Sequence, residues 1–170
     1  MDLPIKAKPY QHQKIAFNFA LEKLETNECC ALLMDMGLGK SLTSIAIVGE
    51  LFKEEKILKV LVVCPTSIIS VWEEEFKKFA DYEYNIESLT GSTMSKRKEK
   101  LKSLFYKQGL KVAIINYEAT WRMEKEINIY KPDIIICDES QKIKNPSAAQ
   151  SKTMHRLGVK AKYRIILTGT

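Results

Sequence analysis

DMGLGKS, from Asp35 to Ser41, and IIICDES, from Ile134 to Ser140, decide how the rest of this chain is read. The first follows CALLM, Cys30 to Met34, an apolar run long enough for one buried strand. It leads into a helical pattern with Leu42, Ile45, Ala46 and Gly49 on one face. A strand, a glycine-rich turn and a helix, in that order, let backbone N–H groups close on phosphate oxygens at a helix N-terminus. Gly37, Leu38 and Gly39 would form that cradle, and Lys40 would reach the β- and γ-phosphates. Ser41 would offer its hydroxyl to Mg²⁺. The strict pattern G-x-x-x-x-G-K-[ST] asks for glycine where this chain has Met34.

In the second stretch, Asp133 to Glu139 reads DIIICDE. Its apolar residues are rich in β-branched side chains, which suits a buried strand. Asp138 and Glu139 then stand at the strand's carboxyl end, where open α/β sheets bind ligands. Asp138 could hold Mg²⁺ through water, and Glu139 could act as general base on an attacking water. The pair of stretches is the minimum equipment for handling a nucleoside triphosphate with a metal.

The remaining pattern alternates helix and strand. Tyr10 to Leu24 is predicted as an amphipathic helix, with Ile15 and Phe19 four apart and Ala16, Ala20 and Leu24 in a second row. KVLVVC, Lys59 to Cys64, is a buried strand stopped by Pro65. Thr66 or Ser67 can cap the next helix, whose core face carries Ile68, Trp72, Phe76 and Phe79. Asn85 to Leu89 and Lys111 to Asn116 read as strands, with Thr90-Gly91-Ser92 as a turn and a lysine-rich amphipathic helix between them. A short helix is expected over Ala119 to Glu126. Asn145-Pro146 reads as the start of a helix running to Leu157 and ended by Gly158. Tyr163 to Leu167 is a last strand. The fold class is therefore α/β, a mostly parallel sheet with helices on both faces. A strand emerging into Thr168-Gly169-Thr170 reads as a loop leading onward, so more protein is expected after it.

Length and composition fit one domain: 170 residues, 45% hydrophobic and 28% charged, with no apolar run of membrane length and no signal-peptide pattern. Cys29, Cys30, Cys64 and Cys137 lack zinc spacing, and Cys64 and Cys137 fall in strand runs as buried thiols. A reducing, cytoplasmic or nuclear setting fits them. The formal net charge of +6 suits a polyanionic partner. The densest basic run, SKRKEKLK from Ser95 to Lys102, reads first as the solvated face of its helix. His12 and His155 read as surface helix residues.

The order and wording of these segments resemble the Swi/Snf family of DNA-dependent ATPases, within the superfamily-two helicases. The resemblance covers nearly the whole chain, 1–170, but only the first of the family's two RecA-like lobes. It implies a three-layer RecA-like P-loop domain whose second lobe lies outside this chain. KPYQ, Lys8 to Gln11, resembles the Q motif, which implies that Gln11 reads the adenine edge. DMGLGKS is close to motif I, where the Met34 position is normally not glycine either. VVCPTSIISVWEEEFKKF, Val62 to Phe79, resembles motif Ia, which gives Pro65, Thr66 and Ser67 a nucleic-acid backbone contact. Helix capping would explain the same hydroxyls. INYE, Ile115 to Glu118, resembles motif Ib and implies a second contact by Asn116 or Tyr117. DESQKIKN, Asp138 to Asn145, is similar to motif II, and LTGT, Leu167 to Thr170, to the start of motif III.

Family members commonly carry histidine where this chain has Gln141, and glutamine can still donate and accept hydrogen bonds. Gln141, Thr168 and Thr170 would then relay nucleotide state to DNA grip. The resemblance implies an ATP hydrolase moving on double-stranded DNA, nearly inactive as this lobe alone. The alternatives are an RNA helicase lobe of the same superfamily and a non-hydrolysing binding module.

Overall fold

The computed structural model describes residues 3–91 and 93–169. The sequence order of elements is α1 (Gln11–Asn27), β1 (Cys29–Leu33), α2 (Lys40–Lys53), β2 (Lys59–Cys64), α3 (Ile69–Phe79), β3 (Tyr84–Ser88), α4 (Met94–Phe105), β4 (Leu110–Asn116), α5 (Tyr117–Thr120), α6 (Glu124–Tyr130), β5 (Ile134–Cys137), α7 (Ala149–Lys160) and β6 (Tyr163–Thr168). Short 3-10 turns cover Thr66–Ile68 and Ser140–Ile143. The strands form one six-stranded sheet in the order β1-β6-β5-β2-β4-β3, and every pairing is parallel. The sheet is thus wholly parallel among the described residues, where the sequence reading allowed a mixed edge.

Side chains of one strand alternate between faces, and both faces here are covered. On β2, Val60, Val62 and Cys64 join the core beneath α1, α2 and α3. Leu61 and Val63 join the opposite core, with residues of α4, α6 and α7. Ile134 and Ile136 of β5 divide in the same way from Ile135 and Cys137. These strands are central and buried on both sides, so their sequences read as continuous apolar runs. α2 is buried almost all round, from Leu42 through Gly49.

Four local expectations are corrected. The inward row of α1 is Gln13, Phe17, Ala20 and Leu24, whereas Ile15 and Phe19 are 61% and 45% exposed. The helix expected over Ala119–Glu126 is two pieces, α5 and α6, separated at Trp121–Met123. α7 starts at Ala149 with Ala148 as its N-cap. Asn145 does not cap it; its Oδ1 accepts from the N–H and hydroxyl of Ser147, closing a local turn three residues earlier. Gly158 lies inside α7, where its carbonyl accepts from Arg164 Nη1 at 2.9 Å, and the helix continues to Lys160. In the expected turn Thr90-Gly91-Ser92, Ser92 lies outside the described residues.

Gly49 is required by close approach. A Cβ there would stand 2.7 Å from Tyr82 Cδ1 and 2.8 Å from Pro4 Cγ. The same Tyr82 donates its hydroxyl to Ile45 O at 2.8 Å, so the ring is fixed against α2. Gly49→Ala is therefore expected to destabilise the chain by about 1–3 kcal/mol, read as a lower midpoint in urea unfolding.

All four cysteines are free thiols, with Cys29 exposed and the others buried. Burial pushes the Cys64 and Cys137 thiols up to about 12. A thiolate-directed reagent such as DTNB is expected to label Cys29 in the native chain, and Cys64 and Cys137 only as it unfolds.

Candidate functional site

The parallel arrangement brings three loops to one end of the sheet. β1 feeds 34–39, β5 feeds 138–141, and β6, lying between them, ends at Thr168. Met34 N–H donates to Thr168 O at 3.3 Å, which continues the β1–β6 ladder into the first loop.

The glycine-rich loop turns where glycine permits it. Leu38 N–H donates to Asp35 O at 3.3 Å, and the third residue of that turn, Gly37, has φ of 81°. Gly39 follows at φ 86° and serves as the N-cap of α2. It has a second reason to be glycine: a Cβ would collide with the amide of Gln13. That amide donates from Nε2 to Leu38 O at 3.2 Å, and its Oε1 accepts from Tyr10 N–H at 2.9 Å. His12 Nε2 also lies 3.1 Å from Leu38 O. The start of α1 thus braces the loop through Gln13 and His12. Gln11, the residue singled out by resemblance, is exposed at the first position of the helix. Sequence reasoning missed Gln13; its one signal was a polar residue in register with Phe17, Ala20 and Leu24 on the buried row.

Lys40 opens α2 and donates to Met34 O at 2.9 Å and Asp35 O at 3.4 Å. Its ammonium sits against Gly169, where an added Cβ would come within 3.4 Å of Nζ. Lys40 therefore lies between the first loop and the end of β6, held by carbonyls that an anion could replace.

Asp138 is 6% exposed. Its Oδ2 accepts from Trp72 Nε1 of α3 at 3.0 Å, and its Oδ1 from Glu139 N–H at 2.9 Å. Its own N–H donates to Val63 O at 2.8 Å, and its carbonyl accepts from Tyr117 Oη at 2.7 Å. Burial, above all, holds the carboxyl above its ordinary pKa; the Trp72 and Glu139 N–H donors and the Lys40 charge pull the other way. Glu139 adopts φ 51°, uncommon for a residue with a side chain. Gln141 Nε2 donates to Glu139 Oε2, and Gln141 Oε1 accepts from Thr168 Oγ1 at 3.1 Å. Gln141 thereby joins the acidic pair to the end of β6. Thr170 lies outside the described residues.

Ser41 faces Glu75 of α3, whose half-buried carboxyl is raised chiefly by burial and lowered by Lys78 and by the Ser41 hydroxyl. Among the described residues, no group of three or more His, Cys, Asp or Glu side chains could hold a metal by itself. Mg²⁺ carried by phosphates needs less, since one or two protein oxygens complete its shell. The Ser41 hydroxyl and Asp138 carboxylate are donors of that kind.

The residues expected at nucleic acid divide. Thr66 and Ser67 are exposed, and Pro65 is partly so. Neither hydroxyl caps a helix: Pro65 and Ile68 occupy the N-cap positions without side-chain bonds. The capping explanation for Thr66 and Ser67 is therefore corrected. Asn116 is partly exposed and donates to Glu118 at 2.8 Å. Tyr117 is 1% exposed, with its hydroxyl committed to Asp138 O, and its expected surface contact is corrected to a core role. In the basic helix α4, Lys98 pairs with Glu126 at 2.7 Å and Lys100 donates to Ser88 O at 3.0 Å. Those charges serve the chain's own packing.

The sequence matches the family model described as SNF2-related domain over residues 10–170. It is 34% identical to human DNA repair and recombination protein RAD54B over 96% of this chain and 18% of that protein. It is 32% identical to zebrafish DNA excision repair protein ERCC-6-like over 96% of this chain and 11% of that protein. The chain therefore spans under a fifth of the length of either relative. In structure it is similar to the Sulfolobus solfataricus SWI2/SNF2 ATPase core in complex with dsDNA, with TM-score 0.80 and 30% identity over 100% of this chain and 34% of that one.

Gln13→Ala should remove the brace beneath Leu38 and Gly39 and cost about 1–3 kcal/mol in urea unfolding. Gln11→Ala, at an exposed position, should change stability by less than about 0.5 kcal/mol.

Proposed function

The chain belongs to the SNF2-related family, and we propose that it is the ATP-binding lobe of an ATP-driven translocase on double-stranded DNA. It would act with a second RecA-like lobe of the same polypeptide. The observation that carries this reading is the convergence at one sheet end of Lys40, Ser41, Asp138 and Glu139, tied to β6 through Gln141 and Thr168. A double-stranded DNA complex of a similar ATPase core supports the choice of DNA over RNA.

In this reading Gln11 selects the adenine edge, and Gly37, Leu38 and Gly39 present their N–H groups to phosphates. Lys40 exchanges the carbonyls of Met34 and Asp35 for phosphate oxygens. Ser41 and Asp138 would hold Mg²⁺, which would supply charge to offset that of the phosphates. Glu139 orients and deprotonates the attacking water, and Gln141 reports its state to Thr168. The exposed Pro65-Thr66-Ser67 segment and Asn116 are backbone contacts to DNA. With four free thiols and DNA as partner, the working compartment is reducing, either cytoplasm or nucleus.

A second lobe would supply a cation to the transition state, a contribution on the order of 10³–10⁵ in rate. This chain alone is expected to turn over ATP near background. ATPase rates of a two-lobed protein carrying this chain, with duplex DNA, RNA or neither at fixed salt, check the proposal. Duplex DNA should stimulate strongly. Lys40→Ala should abolish turnover, and Glu139→Gln should keep ATP binding but lose hydrolysis. Stimulation by RNA alone, or turnover indifferent to nucleic acid, would overturn it.

A further inference from the structure

Trp72 lies in the core beneath the sheet, and packing against Phe76 would suffice to explain an indole there. Its hydrogen bond is not explained by packing. A buried indole N–H needs an acceptor, and backbone carbonyls commonly serve. Here the acceptor is Oδ2 of Asp138, at 3.0 Å, across 66 residues of sequence. The other oxygen, Oδ1, is held by Glu139 N–H. A free carboxylate turns broadly about its last torsion. One donor on each oxygen fixes the plane of this one and leaves further lone pairs for a ligand. One turn along the same helix, Glu75 faces Ser41, so α3 reaches both proposed cation ligands.

We infer that Trp72 is a positioning residue for the divalent cation that accompanies the nucleotide: its indole N–H sets the Asp138 carboxylate in the orientation the cation requires. This rests on the nucleotide reading above. Mg²⁺ demands near-ideal octahedral geometry and tolerates misdirected ligands poorly. Groups that orient a metal's ligands typically contribute about 10–100-fold to metal affinity when they are removed. Trp72 is 1% exposed, so it would act on a bound cation only through Asp138. Nucleotide affinity without metal is accordingly independent of it.

The test uses Trp72→Phe, which keeps an aromatic ring and loses the N–H. Phe76→Leu is the control, since it loosens the same helix and leaves the indole in place. Binding of a fluorescent, non-hydrolysable ATP analogue is followed by the anisotropy of its own fluorophore, which needs no tryptophan. Titrations run in EDTA and across a Mg²⁺ series. Trp72→Phe should leave the EDTA affinity within about twofold and raise the Mg²⁺ concentration for half-maximal enhancement about tenfold or more. Phe76→Leu should lower the melting temperature and leave that Mg²⁺ concentration unchanged. An unaltered Mg²⁺ midpoint in Trp72→Phe overturns the positioning role while the nucleotide reading stands. An equal shift in Phe76→Leu also overturns it, because packing alone would then account for the effect. A parent chain whose nucleotide affinity ignores Mg²⁺ overturns the metal site and this inference together.

Discussion

A carboxylate buried at the end of a β-strand is the constraint around which this molecule is arranged. Asp138 lies where water is nearly excluded, and an uncompensated charge there would cost several kcal/mol. It is made tolerable by donors from separate parts of the chain. Trp72, from the helix layer on one face of the sheet, donates to the carboxylate itself, while Tyr117, from the layer on the other, holds the backbone carbonyl of the same residue. Glu139 contributes its own N–H and accepts a left-handed backbone conformation next to it. Such local strain persists when the surroundings over-determine it, and it gathers at functional sites. Both cores therefore close on one residue, one through its carboxylate and the other through its backbone carbonyl.

The position of β6 follows the same logic. It lies between β1 and β5, so its end meets the glycine-rich loop on one side and the acidic pair on the other. Lys40 touches the first boundary, close to Gly169, and Gln141 spans the second, from Glu139 to Thr168. An anion that drew Lys40 away from the carbonyls of Met34 and Asp35 would act at the very end of the strand that Gln141 grips. Glutamine offers a donor and an acceptor on one terminal amide, whereas a neutral histidine would have to make the same bridge through its two ring nitrogens.

The central strands were legible in the sequence because their burial on both faces leaves an unbroken apolar run, as at Val60–Cys64 and Ile134–Cys137. The glycine-rich turn was legible because positive φ at Gly37 and Gly39 leaves few other residue choices. What failed to show was decided by individual side-chain contacts, some local and some distant in sequence. Asn145-Pro146 carries a helix-start signal, yet its side chain finds Ser147 first and the helix begins later. Gly158 carries a stop signal, yet Arg164 from β6 satisfies its carbonyl and the helix continues. Gln13 and Tyr117 look like ordinary polar positions until the fold places Leu38 beside one and Asp138 beside the other.

The two segments expected to meet nucleic acid are each joined directly to a donor on Asp138. Pro65-Thr66-Ser67 runs into the turn that begins α3, the helix of Trp72. Asn116 precedes Tyr117 by one residue and points its amide to Glu118 while Tyr117 turns inward. Thr66 and Ser67 cap no helix, so their exposure is not the by-product of a local structural duty. A short, well-packed helix transmits displacement because the interior around Trp72 and Phe76 is close-packed and resists compression. A load on the 65–67 segment would therefore be felt at the Trp72 indole, and one on Asn116 at the Tyr117 hydroxyl. Both routes end on the same residue, Asp138, through its carboxylate in one case and its backbone carbonyl in the other. The proposed DNA contacts thus adjoin, in the chain, the two side chains that hold Asp138.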